Sequence, residues 1–105
     1  MGFLERIFKG KIDGKDAHEW FELGAKEKAP VGKVKCFENV VKLKPNFIGA
    51  WNLLGSAYAE KGEYKKALEC YSEALSINPS YRAAQYNKER LEKLIQEEAT
   101  EAQKE

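Results

Sequence analysis

The stretch that decides the fold runs from Trp51 to Pro79: W51-N-L-L-G-S-A-Y58, A59-E-K-G62-E-Y64, then K65-K-A67-L-E-C-Y71-S-E-A74-L-S-I-N-P79. Trp51, Leu54, Ala57 and Tyr58 recur at spacings of three and four, which puts them on one face of a helix. Tyr64, Ala67, Leu68, Tyr71, Ala74, Leu75 and Ile77 repeat that spacing after a break. Gly62 stands at the break, where a left-handed residue that favours glycine ends a helix. Pro79 cannot continue the second helix, because it has no N–H and its ring clashes with the preceding turn. Gly55, Ala67 and Ala74 are the small positions, where one backbone can approach another. The segment therefore predicts two short antiparallel helices.

Trp51, Leu54, Gly55, Tyr58, Gly62, Tyr64, Ala67, Tyr71, Ala74 and Pro79 together resemble the tetratricopeptide repeat, in order and at its spacing. The resemblance covers residues 48–81. It implies an all-α fold, a short α-solenoid of antiparallel helix pairs, closed here by a C-terminal capping helix. It also implies a non-catalytic module that binds a partner protein or peptide.

Upstream, a second copy shows through. At a shift of 34 residues Cys36 falls on Cys70, Phe37 on Tyr71, Val40 on Ala74, Leu43 on Ile77 and Pro45 on Pro79. Residues 14–47 read as a degenerate repeat. Its first helix has an inner face of Ala17, Trp20, Phe21, Leu23 and Gly24, started by an Asp16/Glu19 capping box. Two registers stay open for it. Without a gap, Phe21 falls on Gly55; slid by three residues, W20-F-E-L-G24 lies on W51-N-L-L-G55 and the pair loses about one turn. Lys33 at the place of Ala67 predicts a looser crossing. Asn46 is expected to cap the helix that carries Trp51, and Ser80 the helix after Pro79.

Outward again, residues 1–13 contain an amphipathic piece with Phe3, Leu4, Ile7 and Phe8 on one face. It could cap the first repeat, lie in the groove, touch a membrane surface or join two copies. Residues 82–105 read as a capping helix with Ala83, Ala84, Tyr86, Leu91, Leu94 and Ile95 on one face, and a polar tail from Gln96 expected to fray.

Composition limits function. The 105-residue chain makes one domain at most, and a net charge of +1 gives no global attraction for nucleic acid. No apolar run is long enough to span a membrane, and no secretory leader is evident, so the cytoplasm is the expected compartment. Cys36 and Cys70, one repeat apart, are expected as buried free thiols, since helix axes about 8–10 Å apart exceed disulfide reach. His18 is the sole histidine; it has no nucleophile beside it, so neither an enzyme nor a metal or other cofactor is expected.

By the resemblance, first helices line a concave groove. Its candidate binding residues are His18 and Glu22 in the first repeat, Asn52, Leu53 and Ser56 in the second, and Tyr86, Asn87 and Arg90 in the cap. Lys15, Glu19, Gly49, Glu60 and Ala83 are further groove positions. A subfamily of the repeat clamps a chaperone's terminal carboxylate with lysines, asparagines and an arginine. His18, Glu22, Leu53, Ala83 and Asn87 depart from that pattern, so clamping is not expected. The alternative to a peptide-binding module is a structural subunit that forms a homodimer through the 1–11 face or an open repeat edge.

Overall fold

A computed structural model describes residues 10–104. They form five α-helices: α1 (Ala17–Lys26), α2 (Pro30–Leu43), α3 (Ile48–Glu60), α4 (Tyr64–Ile77) and α5 (Arg82–Gln103). Each packs on its chain neighbour, and α5 also touches α3, so the helices stack in sequence order as a right-through array. The fold class is all-α and repeat-like, as the central stretch requires. The amphipathic face of Phe3, Leu4, Ile7 and Phe8 lies outside the described residues.

The small residues explain the closeness of each pair. A Cβ on Gly55 would lie 2.6 Å from the Tyr71 ring, and one on Gly24 would lie 2.8 Å from the Phe37 ring. Ala67 and Ala74 of α4 are fully buried. These contacts also decide the open register. Phe37 corresponds to Tyr71 at a shift of 34, but Gly24 corresponds to Gly55 at 31. The slid alignment is the one that folds. Helix α1 accordingly has 10 residues against 13 in α3, and it lacks the last turn.

The entries to the helices differ from expectation in an instructive way. Asp16 does form the capping box: its carboxylate accepts from the Glu19 N–H at 2.8 Å, and Glu19 accepts from the Asp16 N–H at 3.2 Å. Asn46 and Ser80 do not cap. The N-cap positions are Phe47 and Tyr81, neither with a side-chain hydrogen bond. Packing has replaced polarity there. Phe47 stacks on Phe21 with centroids 4.9 Å apart, and Phe21 meets Phe37 edge-on at 5.6 Å. Trp51 Nε1 donates to the Pro45 carbonyl at 2.7 Å, and Gln85 Nε2 donates likewise to Pro79 at 2.7 Å. The Ser80 N–H donates to the Asn78 side chain at 3.0 Å. Both turns close on a backbone bond from residue i+3, Phe47 to Lys44 and Tyr81 to Asn78, with proline second in the turn.

One core cluster joins α1, α2, α3 and the Cys70 side of α4, with Trp20, Phe37, Val40 and Leu54 inside it. A smaller one joins Ala67, Tyr71 and Leu91. Ile12 belongs to the first cluster, although it lies outside the apolar face read within residues 1–13. Asp13 and Gly14 both have positive φ, 50° and 77°, and form the two-residue turn that suits Asp-Gly. Ile12 and Lys15 exchange backbone hydrogen bonds at 2.9 and 3.0 Å. The buried Trp20 Nε1 donates to the Ile12 carbonyl at 2.9 Å, fixing the turn against α1.

Five side chains expected on apolar helix faces are exposed. Leu23, Ile77 and Leu94 are each about two-fifths exposed, Tyr86 is 59% exposed, and Ala83 also faces solvent. Lys33, half-buried on α2, reaches α3 and pairs with Glu60 at 3.3 Å. The tail expected to fray from Gln96 is helical to Gln103. Cys36 and Cys70 are free and buried. No helix among the described residues is long and apolar enough to cross a membrane.

Candidate functional site

The first-helix faces of α3 and α5 diverge enough to leave a cleft of about 700 Å³. Its α3 side presents Ser56, Ala59 and Glu60, with Tyr71 of α4 beneath; its α5 side presents Tyr86, Asn87, Arg90, Lys93, Leu94 and Glu97. The spacing of the α5 residues, at three and four, is that of one helical face.

A polar bridge holds the cleft at one end. Asn87 Nδ2 donates to Asn52 Oδ1 at 2.9 Å, tying α5 to α3. Asn52 is buried beneath the cleft, while Asn87 is half-buried and lines it. An amide has two donors and a two-lone-pair carbonyl. The bond to Asn52 uses one donor of Asn87, so its carbonyl oxygen and second N–H are free of that bond. Ser56 shares a hydrogen bond with the Tyr71 hydroxyl at 3.2 Å and donates to the backbone carbonyl of Asn52 at 3.3 Å. Burial pushes the Tyr71 phenol up from its ordinary value.

At the mouth, the Arg90 guanidinium lies 5.6 Å from the exposed Tyr86 ring. Stacking on a ring orients a guanidinium without neutralising it. Lys93 and Glu97 add one charge of each sign. Glu60 is already engaged by Lys33. The cleft therefore offers an apolar floor, amide groups and a mixed rim with Arg90 foremost. The arrangement can hold a ligand; among the described residues, no group of three or more His, Cys, Asp or Glu gathers to hold a metal ion.

Of the residues expected in the groove, Ser56, Glu60, Tyr86, Asn87 and Arg90 come together in this cleft, with Asn52 supporting it, while Lys15, Glu19, Gly49 and Ala83 do not line it. Leu53 is exposed on α3 but does not line it. His18 and Glu22 pair with each other at 3.0 Å on the exposed surface of α1 and do not line the cleft. Lys93 and Glu97 were missed. Lys93 reads as solvent face and Glu97 as frayed tail when the helix is assumed to end early; continuing the Tyr86–Arg90 spacing would have found them.

Residues 48–81, which supply α3, α4 and the turn before α5, match the family profile of the tetratricopeptide repeat. The chain is 35% identical over 54 residues to the peroxisomal targeting signal receptor of Saccharomyces cerevisiae, covering 51% of this chain and 9% of that protein. It is 40% identical over 55 residues to the tetratricopeptide repeat domain-containing protein PYG7, chloroplastic, of Arabidopsis thaliana, covering 52% and 18%. It is 29% identical over 82 residues to superkiller protein 3 of Saccharomyces cerevisiae, covering 65% and 6%. The chain thus spans less than a fifth of each of these relatives.

Proposed function

We propose that this chain, whose residues 48–81 are a tetratricopeptide repeat, is a protein-interaction module that holds an extended segment of a partner protein in the α3–α5 cleft, without catalysis. The family is in general a non-catalytic interaction module, and relatives named as targeting signal receptors fit a binding role. The observation that carries the reading is the Asn87 amide, bonded to buried Asn52 through one N–H and left with hydrogen-bonding capacity on the cleft side. An amide held in this way is suited to a peptide backbone, which offers alternating donors and acceptors. Because the bridge orients it before binding, little rotamer entropy is lost when a ligand arrives. Arg90 beside Tyr86 adds a cation that can meet a carboxylate. Residues 14–47 would form a second, degenerate repeat whose own groove positions, His18 and Glu22, extend the surface along α1. Leu53 would provide an apolar contact between the two.

The test is affinity capture with the full chain as bait, repeated with Asn87→Ala and Arg90→Ala. Removing a hydrogen bond to a bound segment costs about 1–3 kcal/mol, so capture should fall by about fivefold or more for Asn87→Ala. Both variants should keep their helical circular dichroism. Unchanged capture by both folded variants would remove the α3–α5 cleft as the binding site.

A further inference from the structure

A second concavity lies outside the cleft just described, between the second helices of the two pairs. Helices α2 and α4 stand apart there, and α3 fills the space behind them. The slot measures about 460 Å³, within the ~300–1,000 Å³ range of sites that enclose ligand groups. Its floor is mostly apolar: Val41 of α2, Trp51, Leu54 and Tyr58 of α3, and Cys70 of α4.

The rim is charged unequally. Glu38 of α2 and Glu69 and Glu73 of α4 face it, against Lys42 and Lys66. Lys66 is already engaged, with its Nζ 3.4 Å from the Glu63 carboxylate and 5.5 Å from the Tyr58 ring. Three carboxylates, of which Glu38 also accepts from the Tyr58 hydroxyl, therefore face the slot, and among the described residues Lys42 is its one uncommitted cation. The field reaches the floor: after burial, Glu38 helps push the pKa of the Tyr58 hydroxyl up, and Glu69, Glu38 and Glu73 that of the Cys70 thiol. An apolar floor under an acidic rim selects against an acidic or fully polar occupant, because both would bury unpaired groups.

We propose that this outer slot is a second docking site, for a protein segment that presents one or two bulky apolar side chains flanked by lysine or arginine. The apolar side chains would cover Trp51, Leu54 and Tyr58, and the flanking cations would meet Glu38, Glu69 and Glu73. The slot opens between α2 and α4 and shares no lining residue with the α3–α5 cleft. One chain can thereby hold two different segments at once, one on each face of α3.

Titration calorimetry on the full chain tests this with two synthetic amphipathic peptides of identical leucine and phenylalanine placement. One carries lysines on its flanks, the other glutamates. The lysine peptide should bind and the glutamate peptide should not. In the double variant Glu69→Lys/Glu73→Lys, affinity for the lysine peptide should fall by about tenfold, as two rim attractions become repulsions, and the glutamate peptide should gain. Glu101→Lys, which makes a single charge reversal at the far end of α5, should change neither by more than about twofold. Glu38→Gln provides a milder variant should the double variant lose its helical signal, with a loss of about threefold expected. Equal binding of the two peptides, absence of binding by the lysine peptide, or a comparable loss with Glu101→Lys would each overturn the proposal. So would a comparable loss with Asn87→Ala, since that would put the peptide in the α3–α5 cleft.

Discussion

At the scale of single residues, the helix pairs are held by what two glycines lack. The Tyr71 ring is buried against Gly55, and its hydroxyl is tied to Ser56, so it has no free direction in which to yield. Gly55→Ala gains up to about 1 kcal/mol in helix propensity but forces a contact of 2.6 Å, and overpacking costs about 1–3 kcal/mol. Net destabilisation of about 1–2 kcal/mol in urea unfolding is expected. Gly49→Ala is the contrasting case, since its Cβ would meet the Phe47 ring at an ordinary 3.7 Å; it should stabilise by about 0.5 kcal/mol. Cys70 gives a second prediction. Burial first, then the neighbouring glutamates, push its thiol from 9.0 up to about 12. Between those values the unfolded chain has lost a proton that the folded chain keeps, so stability falls as pH rises. Below pH 9 both states hold the proton and this group gives no dependence. Tyr58, raised from 10.0 to about 12 chiefly by burial, acts in the same direction over the upper part of the window. The urea midpoint should be level below pH 9 with respect to these two groups, and Cys70→Ala should reduce the decline above it.

At the scale of the element, legibility followed the source of each helix's limits. Helices α3 and α4 could be read because their boundaries are written in backbone chemistry: Gly62 takes φ +80° between them, and Pro79 follows the last turn. The starts of α3 and α5 could not, because aromatic packing and side-chain bonds to proline carbonyls, all tertiary, displaced the capping that Asn46 and Ser80 suggested. Helix α1 was legible only as two registers, and a contact across the pair, Gly24 on Phe37, was needed to choose. Ile12 was missed since a lone apolar residue beside Asp-Gly has no periodicity to declare it. Of the α3–α5 cleft, the α5 face was half visible: Tyr86, Asn87 and Arg90 came from repeat positions and Leu94 from the helix's apolar face, whereas Lys93 had no apolar spacing to mark it and Glu97 depended on the helix's true length. That length is secured in part by the Tyr64 hydroxyl, which donates to Glu98 at 3.2 Å. Amides from Gln96 onward pack on little else and should exchange with solvent first. Tyr64→Phe should speed exchange there by about threefold or more, while leaving α2 and α3 unaffected, as read by hydrogen exchange.

At the scale of the molecule, α3 is the shared member. It packs against α2 on one side and α4 on the other, and it also meets α5. Repeat arrays gain stability from neighbour contacts more than from any unit alone, and two pairs with a capping helix are near the smallest number that can do so. The largest wholly buried side chain, Val40 of α2, lies in the cluster that joins both pairs. Val40→Ala should cost about 2 kcal/mol. It should lower the unfolding midpoint of both pairs together, with the fluorescence of Trp20 and Trp51 and the far-ultraviolet signal moving as one transition. Separate transitions for the two pairs would show that α3 does not couple them.

The missing turn of α1 has a consequence for the first pair. At about 1.5 Å per residue, the three residues that α1 lacks relative to α3 shorten its axis by about 4.5 Å. Helices α2 and α4 both have 14 residues, so α1 spans a smaller share of its partner than α3 does of α4, and the first pair has less shared surface to lose when it opens.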